Sequence, residues 1–231
     1  MADAAVTTTI EDGVAVLRFD DGKVNALSYA VLDTLSEGLD RAKSDARAVC
    51  IVGRAGVFSA GFDLSVMRQG IDEAMALAAA GGKLLLRLYL HPQPVVAAVT
   101  GHALAAGVLL VATCDVRIGA DVGKAKLGLN ETAIGMSLPS FAVELARDRI
   151  TPKALSDATL GAEIYDPDGA VEVGWLDRVV AAEECVPVAI AEARRLGEYS
   201  PAAYAQTKWM LREPTVERAR AGRTRDDFKV E

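Results

Sequence analysis

Apolar residues follow two rhythms along the chain, and the change between them divides it. Residues 6–10 and 14–19 are β-rich runs separated by Glu11-Asp12-Gly13, and Asp-Gly between such runs predicts a hairpin. From Ser28, a residue suited to cap a helix, apolar positions recur at Val31, Leu32, Leu35 and Leu39, which is helical spacing. Residues 48–52 and 94–99 are short continuous apolar runs, predicting strands buried on both faces. Between them a helix is predicted over 72–90, weakened by Gly81-Gly82, and after them a short apolar helix over 104–112. Residues 116–118 and 126–129 read as further short strands. Strand and helix alternating at this rhythm imply an α/β fold of βαβ units with mainly parallel pairing.

After Ser137-Leu138-Pro139 the pattern reads as helical to the end, with helices over 140–148, 152–159, 167–174, 183–196 and 201–212. Pro152, Pro187 and Pro201 fall where early helical turns tolerate proline. The tail from Glu213, with Arg218, Arg220, Arg223 and Arg225 among acids, reads as a solvated, partly mobile end. One α/β core over roughly the first two thirds, followed by a helical extension, is the organisation this implies.

Composition narrows the function classes. The 231 residues are 51% hydrophobic but only 5% aromatic, so small and aliphatic side chains must build a tightly packed core. A net charge of -7 argues against nucleic acid as partner. The stretch from Pro92 to Cys114 is nearly uncharged, but Pro94, Gly101, His102 and Gly107 break it, which argues against a membrane span. Cys50, Cys114 and Cys185 are widely spaced, and His91 and His102 are the only imidazoles, so no metal site is expected. The cysteines read as reduced thiols of a cytoplasmic protein, with Cys50 and Cys114 buried. Met1-Ala-Asp-Ala-Ala has no basic region leading into an apolar stretch, so no signal peptide is expected.

Two glycine-bearing segments follow the two buried runs: Ser59-Ala60-Gly61-Phe62-Asp63-Leu64 and Gly101-His102-Ala103-Leu104-Ala105-Ala106-Gly107. Ligands of parallel sheets bind beyond the carboxyl ends of strands. Small residues there admit a ligand to main-chain N–H groups, and the second segment opens a helix whose first N–H groups lack partners. Two such donors aimed at one oxygen would form an oxyanion hole; two tight strand-to-helix turns would read the same. Ser59-Ala60-Gly61 also resembles half of a nucleophile elbow, but Val57 stands where G-x-S-x-G requires glycine.

The order of these segments carries a resemblance. Val24-Asn25-Ala26-Leu27, then residues 58–64, then 94–107, Cys114-Asp115, Leu127-Gly128-Leu129-Asn130-Glu131-Thr132 with Gly135 and Pro139, and finally 170–180 together resemble the crotonase superfamily of enoyl-CoA hydratases and isomerases. The resemblance implies a crotonase-like spiral of ββα units over 1–150 and a C-terminal helical trimerisation region over 151–231. It also implies an acyl-CoA substrate whose thioester oxygen is held by the N–H groups of Phe62 and Ala106, with coenzyme A part of the substrate and no separate cofactor. Relatives usually carry glycine where Ala106 stands, so its methyl and restricted φ imply a tighter pocket or a weakened hole.

Val24, Ala26, Ala60, Gly61, Asp63, Leu64 and Gly107 match positions around the CoA and thioester. Asp63 equally suits a helix cap, and Lys23 and Arg68 are either phosphate partners or solvated cations. His102 is either a substrate contact or a satisfied loop histidine, and His91 reads as structural. Hydratases of the family use two glutamates. The first maps to Leu109 and the second to Glu131, so the resemblance favours 3-enoyl-CoA to 2-enoyl-CoA isomerisation through one base, closest in motif to single-glutamate isomerases. Hydration of 2-enoyl-CoA and non-catalytic acyl-CoA binding are the alternatives. Assembly as a homotrimer or hexamer is expected, and the chain's end soon after Arg225 implies that the last family helix is missing.

Overall fold

A computed structural model describes residues 5–222. The first hairpin pairs β1 (Val6–Glu11) with β2 (Val14–Phe19) antiparallel, in the register Val6 with Phe19 that the Asp-Gly turn sets. The short β3 (Ala26–Leu27) leads into α1 (Tyr29–Asp45), capped by the Ser28 side chain. Then come β4 (Ala48–Val52), β5 (Gly56–Ser59), β6 (Gly61–Phe62), the single-turn α2 (Leu64–Met67) and α3 (Ile71–Tyr89). The chain continues through β7 (Val95–Val99), β8 (Gly101–Leu104), α4 (Ala106–Thr113), β9 (Val116–Asp121) and β10 (Leu127–Gly128). A 3-10 turn, Thr132–Ile134, precedes α5 (Ser140–Arg149), α6 (Leu155–Thr159) and α7 (Pro167–Val173). The last elements are β11 (Arg178–Ala181), α8 (Cys185–Gly197) and α9 (Pro201–Arg220).

The main sheet has the order β1-β2-β4-β7-β9-β11, parallel after the first pair. Its two faces explain the unbroken apolar runs. In β4, Val49 and Ile51 join the cluster under α1, α3 and α4, while Ala48, Cys50 and Val52 join a second cluster with Cys185, Ala189 and Ala193 of α8. A strand covered on both sides has no polar positions to alternate. Two smaller parallel sheets, β10-β8-β5 and β3-β6, stack beyond the carboxyl ends of the main strands. They make a second turn of the spiral and hold both glycine-bearing segments.

Helix α3 runs unbroken through Gly81-Gly82, and packing supplies the reason. A Cβ at Gly81 would sit 2.1 Å from the Phe62 ring, and one at Gly82 would sit 2.7 Å from Phe141. The two glycines are notches for aromatic rings, which offsets their weak helix propensity.

The structure corrects three expectations. Residues 57–66, whose small-residue step Ser59-Ala60-Gly61 reads as a loop, instead form short strands leading into α2, because β5 and β6 pair with β8 and β3. The region after Pro139 is not wholly helical, because β11 adds to the sheet edge beside β9, locked by an Arg117–Asp177 ion pair with Nε–Oδ2 at 3.1 Å. The tail is not solvated from Glu213, because α9 continues through Pro214 to Arg220, burying Thr215, Val216 and Ala219. Packing against α5 overrides the missing proline donor. The rest of that expectation, from residue 223, lies outside the described residues.

Candidate active site

The two glycine-bearing segments interlock. Gly107 lies against the Ser59 carbonyl, where a Cβ would come within 2.2 Å of the oxygen. Gly61, at φ +95°, leaves room for Ala105 and Ala106; a Cβ there would meet the Ala105 methyl at 2.9 Å and the Ala106 nitrogen at 3.2 Å. This contact brings the backbone on either side of Phe62 and Ala106 together from β6 and α4.

Ser59 and Asn25 hold the first segment from behind. Ser59 Oγ donates to the Asn25 carbonyl at 2.7 Å and accepts from the Gly61 N–H at 3.2 Å. Its hydroxyl is buried and committed, so it is scaffold and not a nucleophile. Asn25, itself at φ +53°, donates through Nδ2 to the carbonyls of Phe19 (2.7 Å) and Phe58 (3.1 Å). Asp21 accepts from the N–H groups of Lys23, Asn25 and Ala26. Partial burial pushes its carboxyl up, but these backbone donors outweigh it and hold the group below the ordinary value. The loop that carries Val24 and Ala26 is thus built by Asp21 and Asn25. Neither was singled out for that role from the sequence; an Asx residue ahead of a short strand was the available signal.

The second segment turns into α4 through Ala105, which adopts φ +52°, ψ -129°. That is glycine-like backbone, stabilised here by Ala105 donating to the Gly128 carbonyl at 2.9 Å. The conformational burden expected at Ala106 therefore falls one residue earlier. Ala106 is the first residue of α4 and is buried in the main core. Val108 and Leu109 both donate to the Ala105 carbonyl, while the N–H groups of Ala106 and Gly107 have no intrahelical acceptor. Every residue of α4 is buried.

Glu131 follows β10 by three positions, and β10 pairs in parallel with β8, which delivers Ala105. Both acid and helix N-terminus therefore lie at the same edge. Its Oε2 is buried without a hydrogen-bond partner, as is Asn130 Oδ1 beside it. Burial pushes the Glu131 carboxyl above its ordinary value, opposed by the N–H groups of Glu131 and Asn130. Leu109 is buried in the core.

The family model for enoyl-CoA hydratase/isomerase matches residues 9–228. The chain belongs to the enoyl-CoA hydratase/isomerase family. It is 33% identical over 210 residues to human mitochondrial enoyl-CoA delta isomerase 1, covering 89% of this chain and 70% of that protein. It is 35% identical over 207 residues to a probable enoyl-CoA hydratase of Bacillus subtilis, covering 85% of this chain and 78% of that protein. A solved enoyl-CoA hydratase/isomerase family protein from Pseudomonas syringae superposes with a TM-score of 0.91 at 38% identity, over 96% of each chain. The fold is the crotonase fold, and family membership makes this an enzyme acting on acyl-CoA.

Other residues matched to the family fall as follows. Val24 accepts from Ala60 N–H at 3.0 Å, and Ala26 pairs with Gly61. Val24, Ala60 and Leu64 are exposed at the rim. Asp63 caps α2, accepting from Ser65 N–H at 2.8 Å and Ser65 Oγ at 2.7 Å, so the capping alternative holds in the structure. Lys23 and Arg68 are exposed. His102 Nδ1 accepts from Lys126 N–H at 2.9 Å, a loop fastening. His91 is buried with Nε2 3.0 Å from Gln93 Oε1. All three cysteines are free and buried. Among the described residues no cluster of three His, Cys, Asp or Glu side chains could hold a metal ion, and no helix is long and apolar enough to cross a membrane.

Proposed function

We propose that this enzyme isomerises 3-enoyl-CoA to 2-enoyl-CoA, with Glu131 as the single base. The Glu131 carboxylate takes a proton from C2, and the electron pair shifts into a dienolate with its charge on the thioester oxygen. The N–H groups of Phe62 and Ala106 hold that oxygen. Glu131, now a carboxylic acid, returns the proton at C4, leaving the double bond between C2 and C3. Atoms and electrons balance without a cofactor, since coenzyme A belongs to the substrate. The observation that carries the reading is the buried, unpartnered Oε2 of Glu131. An acceptor left without a partner inside a folded protein costs about 1–3 kcal/mol and is retained where it has a task. Its raised pKa suits a group that must both take and give a proton. Leu109, at the position matched to the first hydratase glutamate, leaves no second carboxylate there to hold water.

The test is Glu131→Gln, with isomerisation of 3-enoyl-CoA and hydration of 2-enoyl-CoA assayed side by side. Loss of isomerisation by about 100-fold or more supports the reading. Unchanged isomerisation sinks it, and no turnover by the wild type in either assay leaves a non-catalytic acyl-CoA binder. Hydration is the second reading. The orphaned oxygens of Asn130 and Glu131 favour it, since two neighbouring acceptors suit a water molecule.

We also propose a homotrimer or hexamer, supported by Trp209, Met210 and Leu211 exposed in a row on α9. Cytoplasmic residence is supported by the three free thiols.

A further inference from the structure

The far end of α4 is as closely held as its N-terminus is open. An α-helix leaves its last carbonyls unpaired, and α4 is buried throughout, so protein groups must meet them. They do so one by one. Leu110 O accepts from Thr113 Oγ1 at 2.7 Å, and Val111 O from Cys114 N–H at 3.0 Å. Ala112 O accepts from Arg149 Nε at 2.8 Å and Cys114 O from Arg149 Nη2 at 3.0 Å. Thr113 O accepts from Arg212 Nη1 at 3.3 Å.

The two guanidiniums come from α5 and α9 and both stack on the Tyr89 ring, 5.4 and 4.5 Å from its centroid. Asp115, just past the helix end, binds Arg212 at 2.9 Å and Lys208 at 2.5 Å, and accepts from Val95 N–H at 2.7 Å. Two buried cations thus face the negative end of one short helix. By the rise per residue, its positive end is only about 12 Å away.

We infer that Arg149 and Arg212 are positioning residues of the reaction, fixing α4 by its C-terminal carbonyls so that its first N–H groups are rigidly aimed at the thioester oxygen. The inference rests on the oxyanion-hole reading above. Arg212 is balanced by Asp115, so its hold on α4 is the hydrogen bond to Thr113 O, while Arg149 adds a buried cation at the negative end of the helix. The planar fork of Arg149 holds two carbonyls at once, Ala112 at the end of α4 and Cys114 at its cap, and Arg212 Nη1 ties Thr113 O of α4 to Tyr89 O, which a lysine does less rigidly. Because Arg212 belongs to α9, the C-terminal helix contributes to the site through α4 without touching substrate.

The test uses the full chain with Arg149→Met and Arg212→Met, the corresponding Lys variants, and cinnamoyl-CoA as probe. Hydrogen bonds to its thioester oxygen polarise the conjugated chain and shift its absorbance to the red. The Met variants are expected to lose about tenfold in kcat with KM changed by less than about threefold, and the red shift is expected to shrink. The Lys variants should fall between these and wild type. If the Met variants do not fold, the Lys variants decide, because one donor in place of a fork must still reduce the shift. Folded variants with the wild-type shift overturn the inference, whether or not kcat falls. A wild type that binds cinnamoyl-CoA without any shift instead overturns the oxyanion-hole reading, and the inference with it.

Discussion

The Ser59 carbonyl and the Gly107 Cα are in contact across two segments 48 positions apart, one ending β5 and the other opening α4. Both sides of this contact are backbone, so neither can yield by changing a rotamer. Gly107→Ala is therefore expected to destabilise the protein by about 3 kcal/mol or more, measured by urea unfolding. An unchanged midpoint would mean that the segments part easily.

Ser59 itself is scaffold. Ser59→Ala removes the donor to Asn25 O and the acceptor for Gly61 N–H, at a cost of about 1–2 kcal/mol. Acyl-CoA turnover should persist, and a fluorophosphonate probe should not label the wild-type protein. Labelling at Ser59 would restore the hydrolase reading.

Ala105 carries backbone that glycine adopts freely. Ala105→Gly relieves that strain at the expense of a more flexible unfolded chain. The first effect is the larger, because a non-glycine residue in this region costs about 1–3 kcal/mol. The variant is expected to melt higher than wild type by calorimetry; a lower Tm would show that the Ala105 methyl earns its place by packing.

Glu131 acts first as a base, so it must begin ionised. Its carboxyl lies above the ordinary carboxylate range through burial. The acidic limb of the kcat/KM profile for isomerisation should therefore lie above that range and disappear with Glu131→Gln. A limb at the ordinary carboxylate value would assign the base elsewhere.

Burial lowers the His91 pKa to about 4 from 6.5, with Lys208, Lys43 and Arg87 adding to the effect and the Gln93 hydrogen bond opposing it. The folded protein thus binds fewer protons than the unfolded chain between these values. The stabilising contribution is complete above pH 6.5 and is lost as pH falls towards 4, to a total of about 3 kcal/mol. His91→Gln should unfold with a flatter pH dependence over that window. Parallel curves for the two proteins would refute the assignment.

Legibility in the sequence followed burial. The runs at 48–52 and 94–99 were readable because both faces of β4 and β7 are covered, which leaves an unbroken apolar signature. The edge strand β11 has only half-buried valines between exposed Arg178 and Ala181, and it fell unassigned between the helices expected over 167–174 and 183–196. The end of α9 was read as solvated because several arginines stand among acids from Glu213 on, whereas Val216 and Ala219 pack into the core. The role of Ala105 lies in backbone geometry, which no side-chain pattern announces.

The sequence by itself determined the buried strands of the main sheet and the helices between them, the family, and the chemical identity of the candidate base, because these depend on local pattern and on residue types at matched positions. The tertiary structure decided which groups are free to act. It turned the Ser59 hydroxyl inward, put the strained backbone at Ala105 and not at Ala106, and left Glu131 Oε2 without a partner. It also brought Arg212 from the last helix onto the carbonyl end of α4. Hydrogen-bond satisfaction is set by neighbours far apart in the chain, so it exists only once the chain has folded.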